Sequence, residues 1–325
     1  MLQNAAVVTR RAGTAGTRTN RVALTRTVAS ALACALASTA ALIAVPVASA
    51  GAATGPPTLK LDGPKKPGLL DKMTAAGTLP DATAGDTVTV TVEASGRTLE
   101  KQQVDAGKEK FSFPFVVDAC CNYQVTAASG GQTAPARRFT VSAPKHLRKR
   151  RLARLYNESL VDQGYYIGHM SSHVGLGTRL ATLAFRKVNH MGRSMSYRPV
   201  IFRKLLMGRG AFEPRFDDGH HVEADLSRQV MALVEGDKPV ATFHISSGTS
   251  ATPTVRGNFH FYMKQPGYNA KRMYYSVYFI GGYATHGYNP VPNYPASHGC
   301  LRNPIPFSRY IYSWIRIGDP MNVYG

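Results

Sequence analysis

The sequence predicts a multi-domain, mainly β protein, and three observations lead to this class. The chain has 325 residues, enough for two or three domains, and 44% of them are hydrophobic, which is enough to build cores. Short segments of alternating apolar and polar residues, typical of half-buried strands, fill residues 78–144 and 221–325. Helical spacing of apolar residues dominates residues 145–220. We therefore expect two β-domains separated by a small helical module.

Residues 1–50 have the composition of an export signal. They contain five arginines and no acidic residue, and an uncharged run rich in Ala, Val and Leu extends from Val28 to Ala50, ending in Ala-Ser-Ala. We expect cleavage before Gly51, although the run is long enough to anchor the protein in a membrane if it is retained. The protein is therefore expected to be exported, to the extracellular space or the cell wall.

A linker and a stalk are expected next. Residues 51–77 begin with a stretch rich in Gly, Pro and Lys and are predicted to be a linker. Residues 78–144 are predicted to form an immunoglobulin-like β-sandwich, because segments such as "DTVTVTVEASG" and "NYQVTAAS" alternate between turn residues. The sandwich shows no cluster of catalytic residue types, so its predicted role is a stalk. Its neighbouring cysteines, Cys120 and Cys121, either form a vicinal disulfide or stay reduced.

The helical module, residues 145–220, is strongly basic, with 15 basic and 5 acidic residues over 145–221. Its opening run "KHLRKRRLAR" leads into a first helix, a second is expected near Thr178, and a third at Pro199, since proline fits the first helical turn. The segments "SLVDQGYY" and "GTRLATLAFRK" resemble the three-helix peptidoglycan-binding module of cell-wall enzymes. A basic helical spacer is the alternative.

The C-terminal β-domain, residues 221–325, begins with a predicted hairpin. The segment "RQVMALVEGDKPVATFHISS" alternates on both sides of a turn at Glu235-Gly236-Asp237, and "NFHFYMK" and "MYYSVYFIGGYATHG" predict further strands. One helix is expected after Cys300, because a set of apolar residues shares one face: Phe307, Tyr310, Ile311, Trp314 and Ile315.

Cys300 is the cysteine that the sequence predicts to be free. Three cysteines follow the expected cleavage site, and an odd number in an exported chain indicates a free thiol; the adjacent pair can bond to each other. Three roles compete for Cys300: a buried structural thiol, a zinc ligand together with His286 and His298, or a nucleophile. Glycine and prolines around it argue against a core strand. The single residue between His298 and Cys300 and the lack of a nearby carboxylate argue against zinc, so no metal is predicted.

The pattern favours the nucleophile. An ordinary thiol is only a few per cent ionised at neutral pH, so it needs a base that takes its proton and later returns it to the leaving group. His286 ends a predicted strand and Cys300 lies on the loop that follows, so the chain can bring the two together. No carboxylate lies between Asp237 and Asp319. A backbone carbonyl near Gly287 is therefore expected to orient the imidazole.

The stretch Ser297-His298-Gly299-Cys300, with Arg302 after it and His286 before it, resembles the signature of the L,D-transpeptidases, also called the YkuD family. The resemblance extends over about 222–325. It implies a transferase that needs no cofactor and works through a cysteine acyl-enzyme. In that chemistry the third residue of a peptidoglycan tetrapeptide stem is attacked, the terminal D-alanine leaves, and an amine of a neighbouring stem completes a 3→3 cross-link in cell-wall synthesis or remodelling.

The resemblance also implies roles for single residues. Cys300 would be the nucleophile and His286 the proton donor and acceptor. The backbone N–H groups of Gly299 and Cys300 would form the oxyanion hole. The implied substrate contacts are Ser297, His298 and Arg302.

Two alternatives and a set of partners complete the expectation. Hydrolysis at the same site would make the protein an L,D-carboxypeptidase, and loss of chemistry would leave a non-enzymatic wall-binding protein. A net charge of +20 is typical of nucleic-acid binding, but an exported protein rarely meets nucleic acid, so none is expected. The expected partners are donor and acceptor stem peptides and anionic wall polymers, and the membrane only if the N-terminal segment is retained.

Overall fold

The computed structural model describes residues 55–106 and 109–325. The predicted signal segment, residues 1–50, lies outside the described residues. Within those described ranges, no helix is long and apolar enough to cross a membrane.

Eight strands of the described chain build the N-terminal β-domain: β1 (Lys60–Asp62), β2 (Lys72–Thr78), β3 (Thr87–Ala94), β4 (Arg97–Asp105), β5 (Lys110–Val116), β6 (Cys121–Ser129), β7 (Gln132–Thr133) and β8 (Arg137–Val141). They form two antiparallel sheets, one with the order β1-β2-β5 and one with the order β4-β3-β6, and both β7 and β8 pair with β6. Alternate residues of β3 and β5 are buried in one shared core. The predicted strands are confirmed, and an immunoglobulin-like topology stays a prediction.

The linker prediction for residues 51–77 was wrong where strands β1 and β2 lie. Strand β2 pairs with β5 along its whole length, and Leu59, Met73 and Ala75 belong to the core of the domain. Glycines, prolines and lysines dominate the chain between the two strands. This composition is typical of a linker, so the short strands on either side, of three and seven residues, were not predicted. The N-terminal β-domain therefore begins before residue 60.

The two adjacent cysteines, Cys120 and Cys121, are joined in a vicinal disulfide. Among the described residues, Cys300 is the free cysteine. The structure thus selects one of the two states left open for the pair, and it confirms that Cys300 is the unpaired thiol.

Three helices follow, α1 (Arg150–Asp162), α2 (Leu176–Val188) and α3 (Pro199–Leu206). Helix α3 begins at the predicted proline, and α2 begins two residues before Thr178. The cations of the basic run are exposed: Lys145, Arg148, Lys149, Arg150, Arg151 and Arg154. Binding of anionic wall polymers by this run stays a prediction.

The C-terminal β-domain consists of two sheets and a fourth helix. Its elements are β9 (His220–Asp225), β10 (Val230–Glu235), β11 (Lys238–His244), β12 (Gly257–His260), β13 (Met263–Tyr268), β14 (Tyr274–Ile280), β15 (Tyr283–Tyr288), β16 (Leu301–Pro304), α4 (Ile305–Trp314) and β17 (Pro320–Tyr324). One sheet has the order β11-β10-β9-β17-β12 and the other β13-β14-β15-β16. The hairpin β10–β11 and the helix after Cys300 were predicted and are confirmed.

Both faces of strand β10 are covered, and this decides where the helices belong. Val230, Ala232 and Val234 pack into a core shared with α1, α2 and α3, whereas Met231 and Leu233 pack into the core between the two sheets. A strand buried on both sides needs a layer on each side. The three helices therefore form an outer layer of the C-terminal β-domain rather than the separate module predicted for residues 145–220.

The turn after α1 ties the helical layer to the sheet. Gly164 accepts a hydrogen bond of 2.7 Å from the backbone N–H of Thr242 in β11, and Tyr165 forms a parallel bridge with the same residue. Gly164 has φ +73°, and a Cβ there would lie 2.3 Å from the Pro239 carbonyl oxygen, so only glycine fits. The next residue, Tyr166, stacks on Tyr310 of α4. The segment "DQGYY" thus fixes the first helix to the β-domain.

Candidate active site

The candidate site lies on two neighbouring parallel strands, β15 and β16. Thr285 is the register partner of Leu301, and His286 is the partner of Arg302. Side chains alternate between faces along a strand, so Ala284 lies on the same face of β15 as His286. Cys300, just before β16, packs against the cluster that contains Ala284. The pleat therefore brings the two predicted catalytic side chains to one face.

The opposite face of the same strands packs inward against α4. Asn303 donates a hydrogen bond of 3.1 Å to the hydroxyl of Thr285, and the hydroxyl of Ser308 in α4 donates one of 2.7 Å to the side-chain oxygen of Asn303. A Cβ on Gly287 would lie 2.2 Å from the Ser308 hydroxyl oxygen. The helix therefore packs closely on the two strands only because residue 287 has no side chain.

His286 is buried, with 3% of its surface exposed. Its Nδ1 lies 3.0 Å from the carbonyl oxygen of Gly287, as the sequence predicted. A carbonyl oxygen only accepts, so Nδ1 carries the hydrogen and the lone pair is left on Nε2. Burial lowers the pKa of His286 to about 4; the bond to Gly287 raises it and the charge of Arg302 lowers it further. The imidazole is therefore neutral at pH 7 and ready to accept a proton.

Cys300 is half-buried, and its thiol lies 3.6 Å from the carbonyl oxygen of Gly282, to which it donates. Burial raises the pKa of the Cys300 thiol, and this outweighs the opposing effects of the Ala284 backbone, Lys271 and Arg302. The sulfur is therefore protonated at neutral pH. It becomes a nucleophile only when a neighbouring base removes the proton.

The chain just before Cys300 is a tight loop held by Ser297. Gly299 donates its N–H to the Ser297 hydroxyl at 3.0 Å, and that hydroxyl donates to the Cys300 carbonyl oxygen at 2.6 Å. Ser297 is buried, so the structure gives it a positioning task in place of the predicted substrate contact. The Gly299 N–H is already occupied, which corrects its predicted place in the oxyanion hole. The N–H of Cys300 is the remaining donor of the predicted pair.

Gly299 itself occupies a position that only glycine can fill. Its φ is +114°, in the region that L side chains avoid, and a Cβ there would lie 2.5 Å from the Cε1 atom of Tyr283. The ring of Tyr283 therefore lies directly against the loop that carries the sulfur. This contact was not predicted from the sequence.

Arg302 and His298, the other two predicted substrate contacts, differ in exposure. The Arg302 guanidinium donates to the Ala296 carbonyl oxygen at 3.0 Å and lies 4.1 Å from the ring centroid of Tyr288. It therefore holds the loop before the nucleophile, and the predicted substrate contact of Arg302 stays a prediction. His298 is exposed beside Cys300 and is open to a ligand.

Residues 246–254, which were not predicted to belong to the site, hold the loop before Cys300 through hydrogen bonds. The backbone carbonyl oxygen of Ser247 accepts hydrogen bonds of 2.9 Å from the N–H groups of Ala296 and Ser297. Thr254 donates its hydroxyl to the Gly299 carbonyl oxygen at 2.7 Å and accepts from the Gly248 N–H at 2.9 Å. The serines and threonines of "SSGTSATPT" were a visible signal, because such side chains satisfy loop backbones.

In the described part of the chain, no group of three or more His, Cys, Asp or Glu side chains is arranged to hold a metal ion.

Comparisons with known proteins agree with this site. A family model described as the L,D-transpeptidase catalytic domain, YkuD, matches residues 219–323, a range that includes His286 and Cys300. An L,D-transpeptidase crystal structure from Xylanimonas cellulosilytica is 30% identical, with a TM-score of 0.52, and the match covers 56% of this chain and 98% of that chain. This coverage of the present chain extends well beyond the range of the family model.

Further solved structures show weaker likeness. An L,D-transpeptidase from Stackebrandtia nassauensis is 18% identical, with a TM-score of 0.35 over 52% of this chain and 89% of that chain. One from Enterococcus faecium is 25% identical, with a TM-score of 0.30 over 36% of this chain and 53% of that chain. A search of curated protein sequences finds no significant match. The family model and the Xylanimonas structure together decide the assignment: the chain belongs to the YkuD family of L,D-transpeptidases, with its catalytic domain at residues 219–323.

Proposed function

We propose that this protein is a peptidoglycan L,D-transpeptidase that forms 3→3 cross-links through an acyl-enzyme on Cys300. The observation that supports the proposal is the pairing of β15 with β16, in which a buried, neutral His286 lies opposite Arg302, two residues after the protonated Cys300. A neutral imidazole with a free Nε2 is the base that a thiol of raised pKa requires. We also propose that the protein is exported and acts in the cell wall, where this substrate lies.

Acylation needs one proton transfer in each direction. The Cys300 thiol gives its proton to Nε2 of His286, and the sulfur attacks the carbonyl carbon of the third stem residue, a diamino acid. The C–N bond to the terminal D-alanine then breaks, and the imidazolium returns the proton to the leaving amine. A thioester and free D-alanine are the products. The Nδ1–H bond to Gly287 keeps the ring oriented throughout.

Deacylation transfers the acyl group to an amine. The side-chain amine on the third residue of a neighbouring stem attacks the thioester carbonyl, His286 accepts the amine proton, and the released sulfur is protonated again. One amide bond is broken and one is formed in the full cycle, so the balance needs no cofactor. The N–H of Cys300 is the proposed oxyanion donor, and the exposed His298 is the proposed substrate contact.

Product analysis tests this function. Purified protein incubated with disaccharide tetrapeptides should release D-alanine and give cross-linked dimers joined between third residues, detected by mass spectrometry. Tripeptides without dimers would show that water is the acceptor and that the protein is an L,D-carboxypeptidase. Unchanged tetrapeptides, in a sample shown to be folded, would contradict an enzyme on this substrate.

Gly299→Ala should slow acylation at least about tenfold, because the new Cβ meets Tyr283 at 2.5 Å and the backbone keeps a φ of +114°. The loop must shift, and Cys300 shifts with it. The measurement is the rate at which a carbapenem, a β-lactam class that acylates this family, adds its mass to the protein. Gly318→Ala is the matched control, since Gly318 also has a positive φ, of +94°, but open space around it. Equal rates for the two variants would contradict the prediction.

A further inference from the structure

A lysine and a histidine are buried together at the junction of the helical layer and the catalytic sheet. Lys187, in the last turn of α2, is 3% exposed, and His244, at the end of β11, is 1% exposed. The Lys187 Nζ lies 2.7 Å from His244 Nδ1. It also lies 3.1 Å from the Gln229 carbonyl oxygen and 3.2 Å from that of Ile245. The ammonium group thus has one acceptor for each of its three hydrogens.

The hydrogen bonds of this pair have a fixed direction. His244 Nε2 lies 3.0 Å from the carbonyl oxygen of Val291, which only accepts, so Nε2 carries the hydrogen and Nδ1 keeps its lone pair. Nδ1 therefore accepts from Lys187. Burial lowers the pKa of His244 to about 3, which keeps the ring neutral as this arrangement requires. A chain of donors runs from Lys187 through His244 to the backbone at Val291.

Burial also acts on the lysine. It lowers the pKa of Lys187 to about 6, with a further contribution from Arg193, whereas the three acceptors around Nζ favour the charged form. Only the charged form has a hydrogen for each of the three partners, since a neutral amine has two. Burying such a cation is costly unless it is fully hydrogen-bonded. The contacts therefore restrict Lys187 to one position.

Val291 lies in the loop that joins the base to the nucleophile. Residues 289–296 connect β15, which carries His286, to the loop of Ser297 and Cys300. A second contact from the helical layer holds the same loop: Arg193 Nη1 donates to the Asn293 carbonyl oxygen at 2.9 Å, and Asn293 Nδ2 donates to the Arg193 carbonyl oxygen at 3.0 Å. The connecting loop is thus held at two positions, by His244 of β11, which Lys187 of α2 contacts, and by Arg193 between α2 and α3.

We propose that Lys187 and His244 are positioning residues for acyl transfer. The donor chain from Lys187 through His244 to Val291 holds the connecting loop, and the loop sets the position of Cys300 relative to His286. The helical layer is then a working part of the active site. This inference rests on the proposed function, because positioning matters only if Cys300 is acylated.

Two substitutions at His244 separate its two hydrogen bonds. In His244→Gln the amide N–H₂ reaches the place of Nε2 and keeps the donor to Val291. In His244→Asn the shorter side chain keeps an acceptor near Nδ1 for Lys187 but does not reach Val291. The expected result is a carbapenem acylation rate within about threefold of wild type for Gln and at least about tenfold lower for Asn, because small displacements of reacting atoms are costly. Both variants should unfold at similar temperatures.

A second pair of variants tests the lysine. Lys187→Met, of similar length but without charge, removes the donor that fixes the His244 hydrogen on Nε2, whereas the glutamine amide nitrogen has hydrogens of its own. The acylation rate of Lys187→Met should therefore fall as that of His244→Asn does. Lys204→Met is the matched control, since Lys204 lies on α3 and bonds to Asn189, away from the connecting loop. If His244→Asn does not fold, the comparison of the two methionine variants decides the matter.

Hydrogen exchange of the intact protein makes the outcome independent of acylation. Faster exchange in residues 289–296 of His244→Asn and Lys187→Met, but not of His244→Gln, supports the proposal. Wild-type rates of both acylation and exchange in folded His244→Asn or Lys187→Met overturn it. A folded wild-type protein that no carbapenem acylates overturns the proposed function instead, and exchange in the loop still tests the attachment.

Discussion

Cys300→Ala is expected to abolish acylation by carbapenems and to lower D-alanine release at least about 10⁴-fold, because removal of a covalent nucleophile leaves only binding and oxyanion stabilisation. The unfolding temperature should change little, since the Cys300 side chain is half-buried and makes one weak hydrogen bond, from the thiol to the Gly282 carbonyl oxygen at 3.6 Å. Intact-mass spectrometry and the unfolding temperature check the two halves of the prediction. The wild-type adduct should map to the peptide that contains Cys300.

Cys300→Ser is the matched control for shape. The hydroxyl is close in size to the thiol but far harder to ionise, and the buried His286 is a weak base at its lowered pKa of about 4. The serine variant should therefore remain folded and be almost as inactive as the alanine variant. Release of D-alanine from tetrapeptides by folded Cys300→Ala at the wild-type rate would mean that another group is the nucleophile.

The local chemistry of this site was predictable because it depends on residues close together in the chain. His286 and Cys300 are separated by thirteen residues, and the pairing of β15 with β16 brings them to one face. The role of the Gly287 carbonyl oxygen was predictable because no carboxylate lies nearby in the chain to orient His286. The fate of the Gly299 N–H did not follow, because the Ser297 hydroxyl competes for it at 3.0 Å. Competition among acceptors for one N–H group within a loop is settled by backbone geometry, which a sequence pattern does not show.

The position of the helical layer was missed although the sequence held a signal for it. Val230–Val234 is an uninterrupted apolar run, and such a run predicts a strand that is covered on both faces. The interpretation of the segment as one half of a hairpin concerned its pairing across the turn and not the burial of its two faces. Two covered faces would have required a second layer, and the apolar stripe of α2 was the available partner. The resemblance to a glycan-binding module predicted a separate unit instead of this packing.

The pair of Lys187 and His244 was beyond the reach of sequence patterns for a different reason. Fifty-seven positions separate the two residues, and no sequence pattern connects them. A lysine near the end of a predicted helix is normally a solvated cation. Only the packing of α2 on the sheet buries it, so the contact appears once the layers are assembled.

The helical layer also changes how the architecture should be understood. A separate module would bring wall affinity to the enzyme and leave the chemistry alone. Here the layer covers one face of the catalytic sheet and contacts the connecting loop at Asn293 directly and at Val291 through His244 of β11. Deleting residues 145–210 would expose the buried face of β10, so isolated residues 219–323 are an incomplete domain. Functional measurements should therefore use the chain with its helical layer.

His286→Gln is expected to lower the acylation rate at pH 7 by about 10²–10⁴-fold, the usual contribution of a general base. In the wild type the neutral imidazole is the active form. Its pKa of about 4 means that the rate should be nearly constant from pH 5 to 7 and fall as the pH drops through about 4. In the variant only ionised thiol reacts. Because burial raises the Cys300 pKa, the rate should then increase about tenfold per pH unit up to that raised value.

The lowered pKa of His286 also makes the stability of the fold depend on pH, separately from the rate. An unfolded histidine binds a proton near its ordinary pKa of 6.5, whereas folded His286 does so only near 4. The unfolded state therefore binds more protons between these values, and stability falls as the pH falls from 6.5 towards 4. Near-ultraviolet circular dichroism at each pH shows which samples are still folded, so that loss of rate is not confused with loss of structure.

His260→Gln serves as the matched control, because His260 is exposed on β12 and takes no part in the site. It should keep the wild-type rate and the wild-type profile. An activity step near the ordinary histidine pKa of 6.5 in the wild type would mean that the buried ring is not the base. A step near pH 4 that disappears in His286→Gln, with the variant rate rising towards alkaline pH, follows only if the buried ring takes the thiol proton. The pH profile thus identifies the base by its burial as well as by its position.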